Sequence, residues 1–300
     1  MRGVSIVEVA PRDGFQAVGP FIPTAEKIGI VRALHAAGLR RMEVTSFVGR
    51  AVPQLADAPQ VLAAALELPG LDAQVLAPSR RHAERALAAG ARHVAFFLSA
   101  SAPHNLNNVR RTPAESVRDY AEIAAMLPAG VKLRLNIATA FDCPFAGAVA
   151  PGVVLDLLDA LLALEGNAEV ALCDTTGRAA PGRVAALFRA AMARFPRVPG
   201  WAFHGHDTYG MGAANAFAAW SEGVGVIDAA AAGLGGCPFA PGATGNAATE
   251  DMVWMFEGMD VATGVDLPRL LEAGRAVAAL PGAQTGGRVR EALRAAATAA

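Results

Sequence analysis

The segment FHGHDTYG, residues 203–210, sets His204 and His206 two positions apart. On an extended strand such residues share a face, so both imidazoles point the same way. Pointed inward, they make half of a metal site before any other element is placed. A hard divalent ion would want oxygen ligands beside them. The sequence offers Asp13, in VEVAPRDGFQ (7–16), and Asn246, which closes GLGGCPFAPGATGN (233–246). The plainer alternative is a hydrogen-bonded histidine pair with no ion. HxH at a strand end, with a carboxylate and a carboxamide in reserve, favours the metal. His35, His82, His93 and His104 fall on helix faces or loops and read as surface or packing residues.

The 233–246 segment holds five glycines and two prolines, which calls for a tight loop with unusual backbone angles. Gly235 and Gly236 leave Cys237 on a stretch bare of side chains, where a thiol can reach a bound substrate; burial as a small hydrophobe is the alternative. Cys143 lies on another strand-end loop, and Cys173 is expected to pack in a strand wall. Arg12 and Asp13 are adjacent charges that must be paired or ligated if buried. Arg12 suits a developing enolate or a thioester carbonyl, and Asp13 suits both a metal and a proton. Glu43 either orients Arg12 or touches substrate; a structural salt bridge is the alternative for all three. The expected catalytic set is Arg12, Asp13, Glu43, His204 and Cys237. Arg12, Gln16, Ser46, Asn136, Thr139 and Asp174 are the expected substrate contacts.

These residues need a scaffold that gathers them. Short apolar runs at 4–10, 41–47, 72–77, 93–100, 132–140, 169–176, 200–206 and 225–232 alternate with segments of helical periodicity. Thr24, Pro78-Ser79 and Pro181 read as helix starts, Gly38 and Gly90 as helix ends. Eight βα units predict an α/β fold, a (β/α)₈ barrel, with the polar residues at the C-terminal ends of its strands. A doubly wound open sheet is the rival. Further helices are expected at about 248–258, 267–280 and 287–298. No linker marks a second domain, so residues 1–300 read as one catalytic domain, barrel about 4–260 and C-terminal helices about 261–300.

Composition excludes several classes. The chain is 53% hydrophobic and 18% charged, with a net charge of −1. That supports a large core and argues against a disordered tail, a nucleic-acid partner or an anionic membrane surface. Three cysteines, none in a CxxC pair, suit a reducing compartment, and no signal peptide or membrane-length apolar run is seen, so a cytoplasmic location is expected.

VEVAPRDGFQ, MEVTSFV, FHGHDTYGMGAAN and GLGGCPFAPGATGNAATEDMVWMFEGM together resemble the 3-hydroxy-3-methylglutaryl-CoA lyase family, from about residue 4 to about 275. The resemblance implies Mg²⁺ or Mn²⁺ held by Asp13, His204, His206 and Asn246, Arg12 on the enolate of departing acetyl-CoA, Glu43 beside it, and Cys237 on a loop that closes over substrate and assists proton transfer. It implies retro-Claisen cleavage of an acyl-CoA, with a homodimer as the expected assembly. The chain departs from the family pattern at GRAVPQ after the second strand, at QAV after RDGF, at CDTTG, and at GAQTGGRV, where a more basic segment would help hold CoA. A related thioester such as citramalyl-CoA is therefore an alternative substrate. A Claisen-condensing synthase of the isopropylmalate or homocitrate type is a rival, disfavoured by the Cys237 loop and the short C-terminal region. A non-catalytic barrel that binds a metal or ligand is the rival from another class.

Overall fold

The computed structural model describes residues 3–49, 52–236 and 245–299. Eight strands close into a barrel: β1 (Ser5–Glu8), β2 (Arg41–Ser46), β3 (Asp72–Leu76), β4 (His93–Ser99), β5 (Lys132–Ala138), β6 (Glu169–Asp174), β7 (Trp201–Gly205) and β8 (Val226–Ala229). Each pairs in parallel with its neighbours, and β8 closes against β1. Every expected strand forms within its run and the open-sheet rival fails, because a doubly wound sheet would leave two unpaired edges. The strands are buried almost throughout, as parallel strands sandwiched between side chains and helices must be.

Helices α1 (Thr24–Ala36), α2 (Ala58–Leu66), α3 (Arg80–Ala88), α4 (Ala102–Val109), α5 (Pro113–Met126), α6 (Pro151–Leu162), α7 (Pro181–Arg194), α8 (Gly212–Glu222) and α9 (Thr249–Glu257) follow the strands, and α10 (Leu267–Ala278) and α11 (Val289–Ala299) complete the chain. No helix among the described residues is long and apolar enough to cross a membrane. Thr24 is the first helical residue of α1 rather than its cap, and its hydroxyl donates to Asp57 Oδ2 at 2.8 Å. Gly38 ends that helix with φ +101°, and a Cβ there would sit 2.4 Å from the Gly264 carbonyl oxygen. Thr112 starts α5 with a reciprocal capping box to Glu115.

The eighth strand stops at Ala229, short of the expected 232, because the backbone beyond it turns to a side chain. Glu8 is buried, and Oε1 accepts from Ala10 N at 2.8 Å and Ala231 N at 2.9 Å while Oε2 accepts from the Thr249 hydroxyl at 2.8 Å. One carboxyl thus ties the end of β1, the turn after β8 and the start of α9. Burial pushes the Glu8 pKa up to about 7, against the pull of those hydrogen bonds, and Glu250 is likewise raised to about 7 by burial. The folded chain then keeps protons that an unfolded glutamate releases near 4.5. Stability from these groups is fully present below that pH and falls as pH rises toward 7, by up to about 3 kcal/mol for Glu8 at ~1.4 kcal/mol per unit. Glu8→Gln mimics the protonated form, so its urea-melt stability should decline less between pH 5 and 7 than that of the wild type; parallel curves would refute this.

Candidate active site

The sequence VAPRDG leaves β1 through a π-helical turn, Ala10–Gly14. The Val9 carbonyl accepts from the N–H groups of Arg12, Asp13 and Gly14 at 3.1, 2.8 and 3.3 Å. The wide turn carries Arg12 and Asp13 over the C-terminal mouth of the barrel. Gly14 lies against Leu234, which a Cβ would meet at 2.8 Å. His204 on β7 and His206 just beyond it face the same cavity, ring centroids 5.3 Å apart. Ligand atoms of Asp13, His204 and His206 all lie within 4.8 Å of one another.

Asn246 reaches this cluster through backbone pairing. Asp207 N donates to Gly245 O at 3.1 Å and Ala247 N to Gly205 O at 2.9 Å, which sets Asn246 against His206. Gly245 has φ +102° and passes so close to the Gly233 carbonyl oxygen that a Cβ would stand 2.2 Å from it. The Asn246 amide then donates to Asp13 Oδ2 at 2.9 Å and to Leu234 O at 3.0 Å.

Arg12 is clamped by two carboxylates: Nε donates to Glu43 Oε2 at 2.5 Å and Nη1 to Asp13 Oδ1 at 2.6 Å. β2 carries a register shift between Glu43 and Thr45, so Glu43 and Ser46, three apart, both line the cavity. Gln16 donates to Asp13 Oδ1 at 3.0 Å. Ser46 donates to Leu76 O at 2.9 Å, and Asn136 Oδ1 accepts from Arg134 Nε at 2.9 Å. Together these residues line a cavity of about 500 Å³.

The HMGL-like family profile matches residues 3–277 of this chain. The chain belongs to the HMGL-like family. It is 40% identical over 293 residues to the mitochondrial hydroxymethylglutaryl-CoA lyase of Bos taurus, covering 97% of this chain and 90% of that protein. It is 42% identical over 285 residues to the (R)-citramalyl-CoA lyase of Chloroflexus aurantiacus, covering 91% and 89%. An HMG-CoA lyase from Acinetobacter baumannii, solved with coenzyme A and 3-methylmalate, superposes with a TM-score of 0.90 at 36% identity, covering 96% of this chain and 94% of that one. This HMGL-like chain is accordingly a carbon–carbon lyase.

The donor set of the HMGL-like chain fits a hard divalent cation. His206 Nδ1 and Asn246 Oδ1 are buried without a hydrogen-bond partner, two lone pairs aimed at no proton. Burial and the neighbouring His204 hold the His206 pKa down to about 4, so it is neutral and free to ligate. Burial alone would raise Asp13, but Arg12, His204 and the hydrogen bond from Asn246 outweigh it and keep the carboxyl well below the usual range. The cavity floor also carries three carboxylates, Asp13, Glu43 and Asp228, beside two guanidiniums, Arg12 and Arg134, and His204, whose pKa is raised by Asp228 and Asp13 against the effect of burial.

Two of those floor residues were not anticipated from sequence. Arg134, fully buried, donates to both oxygens of Asp228 at 2.8 and 2.7 Å, and Asp228 Oδ2 lies 3.2 Å from His204 Nδ1. The pair fixes the ring that faces Asp13, as carboxylates behind metal-binding histidines do. A charge in the middle of an apolar strand was the available signal, since it must point inward and be paired.

Thr139 and Asp174 are not brought to the cavity. Thr139 is buried with φ +51° and donates its N–H to Thr175 Oγ1 at 2.8 Å; Asp174 Oδ2 accepts from Ala179 N at 3.1 Å. Strand alternation explains Asp174, since Thr175 and Cys173, the latter expected in the wall, line the cavity on either side of it; Thr139 lies past the end of β5, where the chain turns left-handed, and Ala138 lines the cavity instead. Cys143 is buried and its sulfur accepts from the Ser101 hydroxyl at 2.9 Å. His82 and His104, expected to be ordinary packing residues, both line the cavity, and burial holds His104 down to about 4. Cys237 lies outside the described residues; Gly236, next to it in sequence, is on the cavity wall.

Proposed function

We propose that this chain cleaves 3-hydroxy-3-methylglutaryl-CoA by a retro-Claisen reaction to acetoacetate and acetyl-CoA. The observation that carries the reading is Arg12, a guanidinium clamped between Glu43 and Asp13 beside a cation-ready cluster. Breaking C2–C3 sends an electron pair onto the thioester as an enolate and turns the C3 hydroxyl into a ketone. Arg12 has N–H donors beyond those its carboxylates take, and these would meet the enolate oxygen. Asp13 stands as the acceptor for the hydroxyl proton, held by Gln16 and Asn246, while Asp228 takes one ring nitrogen of His204 and leaves the other for a cation. Asp13, His204, His206 and Asn246 would hold Mg²⁺ or Mn²⁺, which supplies acidification of the substrate hydroxyl and neutralisation of the charge that develops. Cys237 is the proposed proton donor to the enolate carbon, since it follows Gly236 on the cavity wall. Gln16, Ser46 and Asn136 are proposed substrate contacts.

The test is acetoacetate and acetyl-CoA release from 3-hydroxy-3-methylglutaryl-CoA with and without Mg²⁺. No release from that thioester sinks the reading, and acetyl-CoA consumption with an oxo acid would indicate a synthase. Citramalyl-CoA belongs in the same assay, because the Chloroflexus lyase is as similar to this chain as the bovine one. Cys237→Ala should fold normally and lose about 10²-fold in kcat; full turnover would make that cysteine structural. The reading includes a homodimer in the cytoplasm, the first of which sedimentation of the purified chain checks.

A further inference from the structure

Four guanidiniums line the cavity among the described residues: Arg12 and Arg134 on its floor, Arg110 and Arg111 on its rim. The floor pair is spent on Asp13, Glu43 and Asp228. The rim pair is not. Arg111 shares one contact with Asp119 at 3.3 Å, and Arg110 makes no ion pair among the described residues. The two sit on the short connection between α4 and α5, and this connection is held on three sides. Asn105, wholly buried, donates to the Arg111 carbonyl at 2.9 Å and to Ser116 Oγ at 2.8 Å, while its Oδ1 accepts from Ser99 N at 2.8 Å. The Thr112 capping box fixes the far side. Arg110 itself is in the left-handed region at φ 58°, a conformation that a residue with a side chain keeps only when its surroundings impose it. A buried asparagine, a capping box and an unusual backbone angle thus hold two exposed arginines at the mouth of a cavity whose own chemistry is that of a carbonyl site.

We infer that Arg110 and Arg111 form a phosphate subsite that takes the nucleotide end of a coenzyme A thioester while its acyl end lies over Arg12 and Asp13. The inference rests on the proposed acyl-CoA reading. Coenzyme A carries several negative charges, and a chain of net charge −1 offers them no general attraction, so the grip must come from local cations. Guanidinium forks match phosphate oxygens in pairs, and on an exposed rim they can do so while the phosphates stay hydrated.

Calorimetric titration with free coenzyme A and with pantetheine, which lacks the nucleotide, separates the phosphate grip from the rest. The wild type should bind coenzyme A about tenfold or more tightly than pantetheine, as charge-assisted hydrogen bonds to phosphate require. In Arg110→Ala/Arg111→Ala that preference should collapse toward unity, and Arg110→Glu/Arg111→Glu should reverse it. Both residues are exposed, so the variants should keep the wild-type melting temperature. An unchanged preference in the alanine variant overturns the subsite, even if the wild type cleaves 3-hydroxy-3-methylglutaryl-CoA. Arginine-dependent coenzyme A binding by a chain that does not cleave that thioester upholds the subsite and overturns the acyl assignment instead.

Discussion

Arg12→Gln is expected to lower kcat for 3-hydroxy-3-methylglutaryl-CoA by about 10³-fold or more, in the range seen when a cation or donor facing developing charge is removed. The geometry says why the loss should fall on kcat. Arg12 is held at rest by Glu43 and Asp13, so its placement requires no reorganisation as charge moves onto the thioester oxygen. Those carboxylates also fix its charge: burial would weaken the guanidinium, but Glu43 and Asp13 raise its pKa above the ordinary arginine value. Lysine is a poor substitute, because one ammonium cannot span Glu43, Asp13 and a substrate oxygen together. Arg12→Lys should therefore recover only a small part of the loss. The variant also leaves Glu43 and Asp13 without their common partner, so a lower melting temperature is expected, and the rates must be compared below it. A kcat within tenfold of wild type for Arg12→Gln, with the protein folded, would show that the enolate does not form against this residue.

The parts of this site that were legible in sequence are those whose geometry is local. His204 and His206 share a face because strand alternation is a property of any strand, and Arg12 and Asp13 are adjacent at a strand end. The barrel was legible for a related reason: each βα unit carries its own apolar run and helical periodicity, and eight of them admit few arrangements. What failed to show was phase and partnership across space. Thr139 and Asp174 look as suitable as Asn136 and Ser46, but the chain turns them away and brings Ala138, Cys173 and Thr175 to the cavity. Glu43 and Ser46 would violate simple alternation without the irregularity between Glu43 and Thr45, which no local pattern announces. Arg134 and Asp228 are 94 residues apart, and only barrel closure makes a pair of them.

Removing divalent cations from the wild type with a chelator should abolish turnover, and the ligand variants should fail in different ways. Asp13→Asn keeps the shape of the side chain but removes its charge, its cation affinity and its capacity to accept a proton. Its loss should exceed the ~10–100-fold in metal affinity typical of a residue behind the ligands, and excess Mg²⁺ should not restore kcat. Asn246→Ala removes a neutral ligand whose Oδ1 has no other partner, together with the hydrogen bond to Asp13 Oδ2. Here affinity for Mn²⁺ should fall while kcat returns in part at high cation concentration, because Asp13, His204 and His206 remain. Stability gives a reading independent of turnover. By mass action, Mn²⁺ at ~100 times its Kd should add about 2.7 kcal/mol to the wild type. At the same Mn²⁺ concentration the gain should be much smaller in Asp13→Asn, which has lost a charged ligand and with it affinity for the ion. If Mn²⁺ leaves the melting temperature of the wild type unchanged and chelation leaves its rate unchanged, then His206 Nδ1 and Asn246 Oδ1 are buried at a cost that nothing repays, and the cluster is a hydrogen-bonded wall instead of a metal centre.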